Sequence, residues 1–172
     1  MKNLLPILAA LLLTTCASAP ASTATPAPTE PPASTAATLT LEQKVGQLFI
    51  VRPDALDLTL SQEIIDDPRA DGVTQVTDAM RETLQQYPVG GICQFGKNIG
   101  SPSQLARFNK DLQAASATPL FITVDEEGGM VARLANNDAF DLPRYASAAA
   151  VGALGDPENA RAMGQTIGGY LK

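Results

Sequence analysis

Three short apolar runs, separated by stretches with helical patterning, predict an α/β protein with parallel strands. The runs are Leu48-Phe49-Ile50-Val51, Val89 to Gly96, and Leu120-Phe121-Ile122-Thr123-Val124. Helix-start signals at Thr40, Thr77 and Ser101 precede them in turn, giving the order helix, strand, helix, strand, helix, strand. Composition agrees: hydrophobic residues make up 45% but aromatics only 5%, and Trp is absent, so the core is built from Val, Ile, Leu and Ala. Collagen, coiled coil and a wholly disordered chain are excluded. Parallel strands joined by helices face water on neither side, and their edges are paired or closed. Three strands do not achieve that, so the pattern reads as the first part of a barrel or doubly wound sheet.

The chain begins with an export signal over residues 1–16. Lys2 supplies the positive region and Leu4 to Leu13 the apolar one, which is too short to span a bilayer. Leu13-Thr14-Thr15-Cys16 resembles the lipobox of bacterial lipoproteins, in which the Cys is lipidated and becomes the first residue. Thr15 departs from that pattern, which usually has Gly, Ala or Ser there. Cleavage near Ala19 or Ala21 is the competing reading and gives a soluble exported protein. Both place the chain outside the cytoplasm, and lipidation of Cys16 anchors it to a membrane of the cell envelope. A linker follows over residues 17–38. From Ala17 to Thr40, 22 of 24 residues are Ala, Ser, Thr or Pro, a composition unable to bury enough apolar area to offset chain entropy. It reads either as an extended tether stiffened by its prolines or as a flexible tail.

Folding is expected over residues 39–172. Thr40 and Gln43 have capping-box spacing and open a helix through Leu41, Val45 and Leu48. Leu48 to Val51 then reads as a short buried strand, ended by Arg52-Pro53. Between Pro53 and Val76 the six acids Asp54, Asp57, Glu63, Asp66, Asp67 and Asp71 face only Arg69, which predicts an irregular, solvated surface insertion. Its spacing does not match a calcium-binding EF-hand. Thr77 caps a helix over Asp78 to Gln86 that stops before Pro88. The second strand carries glycines where backbones approach closely, and Cys93 within it is expected to be a small core residue, since no cation lies near enough to lower its pKa. Ser101, Pro102 and Gln104 open a third helix whose apolar face is Leu105, Phe108, Leu112 and Ala115. The third strand ends abruptly at Asp125-Glu126-Glu127-Gly128-Gly129, and a last helix opens at Asp156-Pro157 with Ala160, Met163, Ile167 and Tyr170 on one face.

Charge and composition exclude several functions. Twelve basic residues against eighteen acidic give a net charge of −6, with the cations scattered singly, so a nucleic-acid-binding role lacks its electrostatic footprint. The chain contains no histidine, which removes His-ligated metals, Ser-His-Asp triads and imidazole acid–base chemistry from these residues. No cofactor is implied. In α/β folds the ligand lies at the carboxyl ends of the strands, and Asp125 occupies such an end. Arg133 follows eight residues later. A carboxylate and a guanidinium at one strand end offer paired acceptors and a planar donor fork, the groups that neighbouring sugar hydroxyls require. A purely structural salt bridge between the two is the other reading that spacing allows.

These residues also carry a resemblance. Leu41 to Phe49, Val89-Gly90-Gly91-Ile92 and above all Pro119 to Leu134 (PLFITVDEEGGMVARL) resemble the N-terminal domain of family 3 glycoside hydrolases, most of all the bacterial β-N-acetylhexosaminidases. The resemblance implies the N-terminal part of a (β/α)8 TIM-type barrel, incomplete over residues 39–172, and exo-acting, retaining hydrolysis of a terminal β-linked sugar from an oligosaccharide or peptidoglycan-derived fragment. It assigns Asp125 and Arg133 to contacts with hydroxyls of the non-reducing-end sugar. The arginine that often follows E-G-G is Met130 in this sequence, so its role is not carried over. The family's aspartate nucleophile and its proton-donating histidine loop have no counterpart, which implies no catalytic residue in this chain and no hydrolysis by it alone. Three other readings stand beside this one. Asp125 and Glu127 sit at i and i+2 and are conceivable as a catalytic pair themselves, which needs roughly 5 to 5.5 Å between carboxyl groups. The chain is alternatively a non-catalytic carbohydrate-binding or scaffolding lipoprotein, or a different α/β enzyme with a metal near Asp125. The last lacks His or clustered Cys.

Overall fold

The computed structural model describes residues 38–172; the expected export signal, Cys16 and residues 17–37 of the expected linker lie outside the described residues. Three parallel strands form in the order β1 (Ile50–Val51), β2 (Gly91–Gln94) and β3 (Phe121–Val124). They are shorter than the apolar runs predicted. Their register sets Ile50 beside Gly91 beside Phe121, and Val51 beside Ile92 beside Ile122. Gly91 is required at its place, because a Cβ there would lie 2.6 Å from the Phe121 carbonyl oxygen and 2.9 Å from the Phe121 Cβ.

The helices start where the capping residues stand. In α1 (Leu41–Gly46) Thr40 and Gln43 form the reciprocal box. In α3 (Asp78–Gln86) Thr77 Oγ1 accepts the Met80 N–H. In α4 (Pro102–Ala115) Ser101 accepts the Gln104 N–H, but the Gln104 side chain reaches back to the Gly100 N–H at 2.8 Å rather than to Ser101, so that box closes one residue early. α3 and α4 lie against one face of the sheet. Met80, Leu84, Phe108 and Leu112 are buried there against Ile92 and Leu120, with Val51 and Ile122 packed at the margin. Truncating Phe108 at the centre would cost about 3–5 kcal/mol.

Strand alternation sends the intervening residues to the other face, and no layer covers it among the described residues. Ile50 is 54% and Phe121 71% exposed. Two expectations change as a result. The first strand is buried on its helix side alone, and Cys93 lies half-buried on the open face instead of within the core.

The acidic stretch after β1 is solvated only in part: Glu63, Asp66, Asp67 and Asp71 are exposed, but Asp54 and Asp57 are buried and the segment is pinned down rather than irregular. Pro53–Leu56 form a 3-10 helix whose Pro53, Asp54 and Leu56 are buried, and α2 (Gln62–Asp66) buries Ile65. Asp54 is fully buried, accepting the Val73 N–H and the Asn98 Nδ2–H at 3.0 Å each, with Lys97 Nζ at 3.8 Å. Lys97 Nζ donates to the carbonyls of Ile64, Ile65 and Asp67 at 3.1, 3.1 and 3.2 Å, the carbonyls that the end of α2 leaves without helical partners. A cation and an amide from beyond β2 therefore hold this segment down, 30 to 44 residues away in sequence.

After β3 the chain turns into an antiparallel hairpin, β4 (Glu126–Gly128) and β5 (Val131–Ala132), which strand periodicity did not anticipate. A short helix α5 (Ala148–Gly152), likewise unanticipated, precedes α6 (Pro157–Tyr170). Asp156 caps α6 as expected, and Met163 is its buried residue.

Candidate functional site

Each strand hands over a side chain at its carboxyl end. Continuing the alternation of the uncovered face, Arg52 follows β1, Phe95 follows β2 and Asp125 follows β3. The hairpin then folds back and brings Arg133 to the same rim. Its N–H donates to the Asp125 carbonyl at 3.3 Å. Gly128 and Gly129 make the turn with φ of 81° and 64°, conformations that side chains disfavour. The Gly129 N–H donates to the Tyr145 carbonyl at 2.8 Å, and Asn136 Nδ2 donates to the Gly129 carbonyl at 2.7 Å. Met130 stands at the tip, 95% exposed.

The two predicted residues do meet. The nearest approach is 3.9 Å, between an Arg133 Nη and an Asp125 Oδ, an ion pair longer than a hydrogen bond. The Arg133 guanidinium lies over the Phe95 ring, 5.8 Å from its centroid. No side-chain N–H of Arg133 has an acceptor among the described residues, and Nε is buried without one. A buried guanidinium donor without a partner is costly, and this one faces a carboxylate whose oxygens accept no hydrogen bond from the described residues. The pair therefore keeps both donors and acceptors free at an open rim, which a closed structural salt bridge would not. Beside it opens a cleft of about 560 Å³ between the 65–72 loop and the ends of β1 and β2, with Arg52, Phe95, Lys97 and Arg133 among its walls. Arg52 is held there by Asp66 at 2.6 Å, and Gln62 steadies that carboxylate. Phe95 and Arg52 were missed from sequence; their position one residue beyond a strand was the signal available.

Glu126 ties the hairpin to the residues that follow it. Its Oε2 accepts the Leu134 N–H at 2.9 Å and its Oε1 the Ala135 N–H at 3.0 Å. Glu127 makes no such bond. A bulge between Glu126 and Gly128 also breaks the alternation on which a facing Asp125–Glu127 pair depends. Oε1 of Glu126 additionally accepts the Tyr170 hydroxyl at 2.9 Å. Burial, reinforced by that bond to a carboxylate, pushes the Tyr170 phenol well above its usual range. Among the described residues no three His, Cys, Asp or Glu side chains gather in a group fit for a metal ion. No helix among them is long and apolar enough to cross a membrane.

Residues 40–171 match the model of the glycosyl hydrolase family 3 N terminal domain. The chain belongs to glycosyl hydrolase family 3. Among its relatives, a beta-hexosaminidase of Thiobacillus denitrificans is 37% identical over 101 residues, 57% of this chain and 27% of that protein. A beta-hexosaminidase of Vibrio cholerae is 45% identical over 53 residues, 31% of this chain and 16% of that protein. A family 3 beta-N-acetylglucosaminidase of Paenibacillus sp. has a solved structure that superposes with a TM-score of 0.58 at 34% identity, covering 76% of this chain and 21% of the other. The chain thus spans between a sixth and about a quarter of the length of these relatives. Its three parallel strands, with α3 and α4 on one side, are an incomplete arc of the family's TIM-barrel-type fold.

Proposed function

We propose that this family 3 domain grips the non-reducing-end sugar of a β-N-acetylhexosaminide, drawn from an oligosaccharide or a peptidoglycan fragment, in a retaining glycoside hydrolase. The observation that carries the reading is the unspent Arg133 fork beside Asp125 at the carboxyl rim of the sheet. A guanidinium donates to two adjacent hydroxyl oxygens and a carboxylate accepts from two hydroxyl groups, so together they fix one face of a pyranose. The half-buried setting raises the value of each bond over its value in water. Residues 1–172 hold no histidine, so the part they supply is recognition of the sugar and not proton donation by imidazole.

Binding of N-acetylglucosamine to the 172-residue chain tests the assignment. Replacing Asp125 by Ala is expected to weaken binding by tenfold or more while circular dichroism stays unchanged, since two hydrogen bonds to a charged group are lost. Equal affinity of the variant and the parent would remove Asp125 from the site. The name shared by the relatives, beta-hexosaminidase, favours an N-acetylated sugar over a glucoside or xyloside. We further propose export and lipidation at Cys16, with the 17–38 linker as the tether to the membrane. A chain with Cys16→Ser that still partitions into detergent with the parent would refute the anchor.

A further inference from the structure

The Asp125–Arg133 pair does not hold itself together. At 3.9 Å the side chains are not hydrogen-bonded, and the backbone bond between the two residues is 3.3 Å long. The ladder joining them pairs only Glu126 with Ala132 and Gly128 with Val131, with a bulge between. A hairpin of that length is marginal in water. One carboxylate ties its arms. Glu126, next to Asp125, accepts the N–H groups of Leu134 and Ala135, the two residues that follow Arg133. The same carboxylate accepts the hydroxyl of Tyr170, the last residue of α6, 44 positions away. Three bonds to one charged group are of the stronger kind. They bind the start of the hairpin, its end and a separate helix at a single point.

We propose that Glu126 is a positioning residue of the sugar site and Tyr170 its brace, the carboxylate setting the spacing of Asp125 and Arg133 without touching the sugar. The inference rests on the sugar-binding reading given above. With backbone N–H groups on both oxygens, Glu126 is held as an acceptor on the side of the strand away from Asp125, so any effect on the ligand passes through its neighbours.

The test measures the Kd of N-acetylglucosamine for the 172-residue chain together with the thermal midpoint of each variant. Glu126→Gln preserves size but turns one acceptor into a donor facing a backbone N–H, and Kd is expected to rise about tenfold. Tyr170→Phe removes one oxygen and is expected to raise Kd about threefold, but to add nothing in the Glu126→Gln background, because it acts through that carboxylate. In an Asp125→Ala/Arg133→Ala background Glu126→Gln should leave the residual affinity unchanged. A merely structural role would lower the thermal midpoint and leave the Kd of the folded molecules alone, and that outcome overturns the proposal. So would effects of Glu126→Gln and Tyr170→Phe that simply multiply. Where Glu126→Gln does not fold, Tyr170→Phe decides alone, and an unchanged Kd overturns it. Loss of binding in Asp125→Ala with parental affinity in both Glu126→Gln and Tyr170→Phe sinks this inference and leaves the sugar-binding reading standing. Parental affinity in Asp125→Ala sinks both.

Discussion

A guanidinium offers five N–H donors in one plane, and a residue that leaves them all unpaired while two-thirds buried is unusual unless a ligand takes them. Among the described residues Arg133 is such a residue, with its side chain 31% exposed and stacked on Phe95. The planar fork is the property that matters, because a lysine in its place keeps the charge but neither the paired geometry nor the stacking. Arg133→Lys is therefore expected to weaken N-acetylglucosamine binding by about tenfold or more with the fold intact, read by titration calorimetry. The positions of Asp125 and Arg133 were legible in the sequence because both sit in one short motif after a strand. Phe95 as the stacking partner was not, since only the pairing of β2 with β3 brings its ring beneath the guanidinium.

At the level of elements, the junctions depend on a few polar clips. Thr77 Oγ1 accepts the Met80 N–H at the start of α3 and donates to Asp57 at 2.8 Å, so one hydroxyl joins the helix to the segment after β1. Thr77→Ala is expected to cost about 1–2 kcal/mol in denaturant unfolding. Burial pushes the Asp57 carboxyl up, but the Thr59 and Thr77 hydroxyls and the Thr59 N–H outweigh it and hold the group below its ordinary 3.8. The folded chain thus binds this proton less readily than the unfolded one. The contribution is complete above pH 3.8 and is lost as pH falls through the lower folded value. Asp57→Asn should flatten that acid limb. Tyr170 has the opposite sign. Its folded pKa is raised above 10, so its contribution is whole below pH 10 and is lost as pH rises past that. Tyr170→Phe should flatten the alkaline limb of the unfolding curve. Helix starts were readable because caps are local; Thr77 as a partner of Asp57 and Tyr170 as a partner of Glu126 lie 20 and 44 residues off and no local pattern names them.

Among the described residues one face of the sheet is open. The helix side of the sheet is closed by α3 and α4, whereas Ile50 and Phe121 stand exposed on the other face with Gly91 between them and Cys93 two positions along β2. A parallel sheet is ordinarily covered on both faces, so this one offers apolar area to whatever lies against it. The 172-residue chain is expected to enhance the fluorescence of an apolar dye such as ANS. Phe121→Glu should reduce that signal without loss of helical circular dichroism, because its side chain makes no part of the helix-side core. An unchanged signal would show that the dye reads some other surface.

Apart from α2, α5 and the β4–β5 hairpin, the sequence by itself determined the three parallel strands and the helices that alternate with them, the capped starts at Thr40, Thr77, Ser101 and Asp156, and the placing of an acid and an arginine beyond the third strand. All of these are set by residues within a turn or two of one another, where propensity and hydrogen-bond reach act directly. Tertiary structure alone decided that the acidic stretch is pinned by Lys97 and Asn98, that one sheet face is left uncovered by the described residues, and that Glu126 anchors the hairpin to α6. Those outcomes depend on which distant groups arrive close enough to neutralise a charge or exclude water, and that is settled only when the strands have paired.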